Sequence, residues 1–157
     1  MIRKIEKSER SLINSVLDIH MKTFSGFFLT FMGKGFLKQL YSAYCEHKDS
    51  GLLVAFKEDG NPIGFLAYSE NVSALYKFMI KKRLIFFAWY SLGAFFRKPK
   101  IFMRLIRAFL KPKESKRTEK YIELASIGVL PDNKGRGVGS SLIEKLKEIA
   151  QSTSCKY

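Results

Sequence analysis

The residues of this chain best suited to chemistry lie close together in sequence. Lys134-Gly135-Arg136-Gly137-Val138-Gly139 alternates three glycines with two cations. Val138, Leu142, Leu146 and Ile149/Ala150 then recur at helical spacing, with Glu144, Lys145, Lys147 and Glu148 between them. Ahead of the loop, residues 121–129 are rich in β-branched and aromatic side chains, as a strand should be. Leu130-Pro131-Asp132-Asn133 breaks that strand with turn chemistry. The expected unit is strand, glycine loop, helix. The first turn of a helix leaves backbone N–H groups unpaired, and the helix dipole favours negative charge there. Glycines permit positive φ and close approach of a ligand. The unit therefore reads as an anion site, with a phosphate as the expected ligand. The competing reading, a plain tight turn capped by glycine, fits three alternating glycines at a helix start poorly.

The spacing narrows the kind of phosphate. The P-loop pattern G-x-x-x-x-G-K-[ST] is absent. The dinucleotide fingerprint needs G-x-G-x-x-G with an acid about 20 residues on. Here the spacing is G-x-G-x-G, and no such acid follows. The stretch resembles the central motif of the GNAT N-acetyltransferases: a strand ending in a hydrophobic-x-V, a short turn, then Q/R-x-x-G-x-G/A opening a helix. Ile127-Gly128-Val129 fills the strand end. Lys134 stands where the family usually has Gln or Arg, and Gly137 and Gly139 fall on the motif glycines.

This resemblance covers about 30 residues and implies a set of roles. Acetyl-CoA would be the co-substrate, with no metal. The backbone of Ile127, Gly128 and Val129 would pair with pantetheine, and the N–H of Ile127 would face the thioester oxygen. Lys134, Gly135, Arg136, Gly137, Val138, Gly139 and Ser140 would hold the pyrophosphate. Glu123, four residues before Ile127, matches a glutamate that in some family members deprotonates the acceptor amine, directly or through water. Strand parity would put Glu123, Ala125 and Ile127 on one face. Flanking Ile122, Leu124 and Ala125 would raise its pKa into the range of a useful base. Alternatively, Glu123 merely pairs with a lysine at a strand end. The family usually takes a tyrosine acid from the helix after the next strand, and Tyr157 does not match it. Residues 154–157 read as the opening of that strand, so the expectation is a fold truncated before its last strands. A longer chain, a partner or strand exchange in a homodimer would complete it.

Further elements must position these groups. Residues 2–5 suggest a short first strand. A helix follows with Ser8 as N-cap, Glu9 in its first turn, and Leu12, Ile13, Val16, Leu17 and Ile19/His20 on its apolar face. His20 reads as a structural residue. The aromatic, glycine-broken stretch 24–33 is either core packing around a loop or a wall of the acceptor site. Phe36, Leu37, Leu40, Tyr41 and Tyr44 mark a second amphipathic helix. Residues 52–57 and 63–68 form a hairpin around Asp59-Gly60. The fold expected is α/β in layers: a mixed, mostly antiparallel central sheet flanked by helices, in one GNAT-like domain over residues 1–157.

Composition bounds the rest. The 157 residues are 46% hydrophobic and 14% aromatic, enough to bury a core. Cys45 and Cys155 show neither metal spacing nor a disulfide framework, which suits a cytoplasmic setting. The net charge of +14 is concentrated: residues 71–118 hold 13 Lys/Arg against Glu114 alone. This stretch reads as a basic helical insertion, a helix over 71–96 and, after Pro99, a second with Ile101, Phe102, Leu105, Ile106 and Phe109 on one face. The 13 uncharged residues 84–96 are too few to span a bilayer. Three readings are open: peripheral contact with an anionic membrane, an acidic or nucleic-acid partner (no nucleic-acid motif supports it), or packing against the domain or a second subunit. The function expected is acetyl transfer from acetyl-CoA to a primary amine. The alternative is a non-catalytic acyl-CoA- or phosphate-binding module.

Overall fold

The computed structural model describes residues 1–100, 102–103, 121–153 and 155. The second helix expected after Pro99 and the polar loop of residues 111–118 fall almost wholly outside the described residues, as does Tyr157.

The described strands form one antiparallel sheet in the order β1 (Ile2–Lys4), β2 (Ser50–Phe56), β3 (Pro62–Ser69), β4 (Glu123–Val129). Its centre is the hairpin read from Asp59-Gly60. Gly60 takes φ 83°, which only glycine adopts without strain, and Asp59 Oδ1 accepts from the Asn61 amide at 3.0 Å. Both central strands are buried along most of their length, so β2 and β3 read as near-continuous apolar runs.

Helices cover the two faces unequally. On one face lie α1 (Arg10–Thr23), α2 (Phe28–Met32) and α3 (Lys34–Glu46). Their core joins Ile13, Val16, Leu37 and Tyr41 to Leu52, Val54, Phe65 and Ala67 of the sheet. On the other face, among the described residues, α5 (Val138–Ser152) sets Leu142, Leu146 and Ala150 against Leu53, Ala55, Leu66 and Tyr68. The aromatic stretch of residues 24–33 contributes the short α2, and Phe24 packs partly buried against the first core.

The N-cap of α1 is Glu9, not Ser8, and Glu9 lies outside the first turn. The cause is a local network. The Glu9 carboxylate accepts from the Arg3 guanidinium at 2.6 Å and from the Glu6 amide at 2.8 Å, which fixes the turn one residue later.

The helix expected over residues 71–96 is α4 (Val72–Arg97), capped at Asn71, whose Oδ1 accepts from the Ala74 amide at 3.0 Å. It leans on α3 through Leu75, Met79, Ser91 and Ala94, with the Phe87 ring 4.9 Å from that of Phe36. Arg83 forms an ion pair with Glu46 at this junction. Burial works against the Glu46 charge, but the Arg83 and Lys7 hydrogen bonds overcome it and hold the carboxyl below its usual value.

Candidate functional site

The glycine loop closes the gap between β4 and α5. Residues Pro131–Asn133 make one 3-10 turn, and Asn133 is buried beneath the loop. Gly135 and Gly137 then take φ 74° and 76°, and a Cβ on either would meet open space rather than protein. These glycines are required by backbone conformation, not by crowding. Gly137 is the N-cap of α5. The Ser141 amide closes the first helical bond on Gly137 O at 2.9 Å. The amides of Val138, Gly139 and Ser140 thus precede the first intrahelical bond and point out of the helix end.

A cleft of about 580 Å³ opens there, lined by Ile127, Val129, Lys134, Gly135, Gly137, Val138, Gly139 and Ser140, together with Thr23 and Asn133. Most of the residues named from sequence are brought together in it. Two are not. Gly128 faces the opposite side of β4, where a Cβ would lie 2.7 Å from Phe65 Cε1 and 3.2 Å from Phe24 Cε2. Arg136 is exposed and outside the lining.

The backbone of β4 is polarised in a useful way. The Leu130 amide donates to Ile63 O at 2.9 Å, toward β3, while Thr23 Oγ1 donates to Val129 O at 3.3 Å. Strand alternation therefore turns the backbone groups of Gly128 toward β3 and those of Ile127 and Val129 toward the opposite edge.

Glu123 lies elsewhere than strand parity requires. The β3–β4 register runs Leu66 with Ile127 and Ala67 with Ser126, then shifts to Tyr68 with Leu124 and Ser69 with Glu123. Ala125 is the extra residue of a bulge, and a bulge reverses the alternation beyond it. Ile127 and Val129 accordingly side with α5, while Glu123 sides with Ser69 on the face of α3 and α4. Its side chain is exposed, and Leu124 (38% exposed) and Ala125 do not enclose it. The apolar setting expected around it is absent. Two tyrosines come near it instead, Tyr44 from α3 and Tyr76 from α4. Burial raises both phenol pKa values, and the Glu123 charge adds to the rise.

Behind the strand lies a second group that the sequence did not show. His20 is 2% exposed, and its Nδ1 lies 2.7 Å from the Tyr41 hydroxyl, which is itself hydrogen-bonded to Ser126 of β4. His20 Nε2 has no partner among the described residues. An unpaired lone pair costs less than an unpaired N–H, which favours Nδ1–H donating to Tyr41. Burial pushes the imidazole down to about 4. The placing of Thr23, Tyr41, Tyr44 and Tyr76 is likewise invisible to sequence reasoning, because tertiary contact alone brings them to β4; Asn133 reads only as part of the turn. No group of three or more His, Cys, Asp or Glu suited to a metal occurs among the described residues.

Comparison with known proteins gives a consistent result. The chain aligns in fold with an aminoglycoside 6'-N-acetyltransferase from Acinetobacter baumannii, TM-score 0.59 at 13% identity, over 99% of this chain and 74% of that one. A GNAT family acetyltransferase from Staphylococcus aureus gives TM-score 0.56 at 15% identity, over 99% and 81%. A ribosomal-protein-alanine N-acetyltransferase from Brucella melitensis gives 0.52 at 13%, over 99% and 74%. At these identities the likeness is one of fold. A search of curated protein sequences gives no significant match. In sequence, the model of the acetyltransferase (GNAT) family matches residues 13–157, which takes in the hairpin, β4, the glycine loop and α5. The chain belongs to the GNAT acetyltransferase family and is an acyltransferase of that type.

Proposed function

We propose that this enzyme transfers an acetyl group from acetyl-CoA to a primary amine, within a single domain that carries residues 71–118 as an insertion. The observation that carries this reading is the pair of left-handed glycines, Gly135 and Gly137, at the N-terminus of α5 beside the edge of β4 that no described strand covers. The site fits the co-substrate. A pyrophosphate needs convergent N–H donors and positive charge without side chains in the way. The amides of residues 138–140 and the exposed Lys134 and Arg136 supply these, with the two glycines left bare. The backbone groups of Ile127 and the N–H of Val129, which pair with no strand among the described residues, would hold pantetheine, with the Ile127 N–H as donor to the thioester oxygen. Bound acetyl-CoA supplies an activated acyl thioester.

Glu123 is the proposed base. Its Oε atoms would take the proton from the acceptor ammonium, through water, since the register from Leu66 to Ser69 puts it three ladder steps, about 10 Å, along β4 from Ile127. The bulge gives the site two sides. The phosphate end lies toward α5, the amine would arrive on the face of α3 and α4, and both reach the edge of β4 where the Ile127 amide points.

The test is release of free CoA thiol against amino sugars, polyamines and peptide amines. Turnover that needs both acetyl-CoA and an amine is expected. Saturable acetyl-CoA binding without thiol release across the whole panel would instead favour a binding module.

Gly137→Val tests the glycine loop. A β-branched residue at φ 76° is strained by about 1–2 kcal/mol, and its side chain would project into the cleft. The KM for acetyl-CoA should rise about tenfold or more by the same energy scale. Gly60→Ala also occupies positive φ, at 83°, but in the distant β2–β3 turn. It should lower the melting temperature comparably and leave the KM unchanged. Equal KM values for Gly137→Val and the parent would remove the loop from cofactor binding.

A further inference from the structure

We propose that α4 is a docking surface for a lipid bilayer carrying anionic headgroups. The helix packs on α3 through one stripe, Leu75, Met79, Phe87, Ser91 and Ala94. On its opposite side Ile85, Trp89, Leu92 and Phe96 follow the i, i+4, i+7, i+11 spacing of a second stripe. They are 82, 70, 47 and 77% exposed. A large, contiguous apolar face on a soluble surface marks a contact site, and single exposed residues do not.

The charges select the occupant. Exposed cations flank the stripe at both ends, Lys77, Lys81 and Lys82 on one side and Arg97, Lys98 and Lys100 on the other. α4 contains no Asp or Glu at all. A second copy meeting the first across this face would oppose lysines to lysines and arginines with no acid to pair them. The sequence that follows, residues 104–118, has the same sign, with six Lys/Arg against Glu114, so it offers no counter-charge to α4. An anionic bilayer satisfies both features at once: the aromatic stripe enters the headgroup boundary and the flanking cations meet the phosphates.

The depth is also bounded. No helix among the described residues is long and apolar enough to cross a membrane. The uncharged run of residues 84–96 is about 20 Å long, and it lies alongside α3 rather than projecting from the fold. The helix therefore lies in the plane of the interface. This surface stands independently of the acetyl-transfer chemistry.

Trp89 is the chain's only tryptophan and sits at the centre of the stripe, so its fluorescence reports the contact directly. The intact chain is titrated with vesicles of phosphatidylcholine alone and of phosphatidylcholine with phosphatidylglycerol. Trp89 emission should shift to the blue and the protein should float with the anionic vesicles only, and added salt should weaken both. The double variant Lys81→Ser/Lys82→Ser should lower the partition constant about thirtyfold, at roughly 1 kcal/mol per cation. Ile85→Ser/Phe96→Ser should lower it more than tenfold while leaving the circular-dichroism melt unchanged, since both positions are exposed. Absence of binding to anionic vesicles overturns the proposal. So does a blue shift without vesicles that grows with protein concentration alongside dimer in sedimentation, which would assign the face to a second copy. A Trp89 emission already blue-shifted in dilute monomer would assign it to the chain itself and overturn the proposal equally.

Discussion

Glu123→Gln is expected to lower turnover of an amine acceptor at least a hundredfold at neutral pH, with acetyl-CoA affinity unchanged. General base catalysis by a positioned carboxylate is worth about a hundred- to ten-thousandfold. The substitution removes the proton acceptor and little else: the side chain is exposed, keeps its shape as the amide, and lies on the far side of the β4 bulge from the glycine loop. Acetyl-CoA titration should therefore superimpose on that of the parent. The deficit should also depend on pH in a particular direction. Above about pH 9 a primary amine increasingly sheds its own proton, and the gap between parent and variant should narrow. A defect that persists unchanged at high pH would point to a structural role at the strand end. Unchanged turnover at neutral pH would place the base elsewhere.

This prediction rests on a feature that could not be read from the chain. Tyr121 to Gly139 announced strand, turn, loop and helix because each signal is local: β-branched residues, a Pro-Asp turn, glycines at positive φ, apolar residues every three or four positions. The hairpin was legible for the same reason, through Asp59-Gly60, and α4 through its boundaries at Asn71 and Pro99. The bulge at Ala125 is different. It exists because β4 pairs with Tyr68 and Ser69 of β3, residues more than 50 positions earlier. Nothing within the run Glu123-Leu124-Ala125-Ser126-Ile127 marks which residue is skipped, so simple alternation misplaced Glu123 by one face. The packed side of α4 was hidden in another way. Residues 84–96 are apolar all round, so periodicity has no polar side from which to infer the buried one. Arg83 on Glu46 and Phe87 on Phe36 settle the choice, and both partners come from α3.

The bulge also separates duties. In the proposed mechanism one strand presents its backbone edge to acetyl-CoA and a carboxylate to the amine, and uniform alternation would crowd both against α5. Inserting Ala125 sends Ile127 and Val129 toward α5 and Glu123 toward Tyr44 and Tyr76. Ser126, the next residue, is tied by Tyr41 and His20 from behind. The buried His20 thus supports β4 from behind through Tyr41.

That dependence has a large consequence in acid. Between pH 6.5 and 4 the folded chain is expected to lose on the order of 3 kcal/mol of stability through His20 alone. The sign follows from the two states. In the unfolded chain the ring takes up a proton as pH falls through its ordinary 6.5; in the fold, burial delays this to about 4. Between those values the unfolded state binds more protons, so stability falls with pH, and below about 4 the loss stops growing. At 1.36 kcal/mol per pH unit the window gives the figure above. No salt bridge from His20 forms among the described residues, and its ring faces Phe24, Tyr41 and Phe65, so nothing compensates a charge there. Carboxylates add a separate loss at lower pH: Glu46, held down by Arg83 and Lys7, contributes only as pH falls below its usual range of about 4.5. Urea midpoints across this range for the parent and His20→Phe isolate the term. The variant should be less stable at neutral pH, having lost the Tyr41 contact, yet nearly flat between pH 6.5 and 4 where the parent declines. Parallel curves would show that the ring titrates normally and is hydrated in the fold. The same comparison guards the reading of Glu123. An acid limb in the activity profile that follows the parent's unfolding, and that flattens in His20→Phe, belongs to the support behind β4. A limb that survives the substitution belongs to the base in front of it.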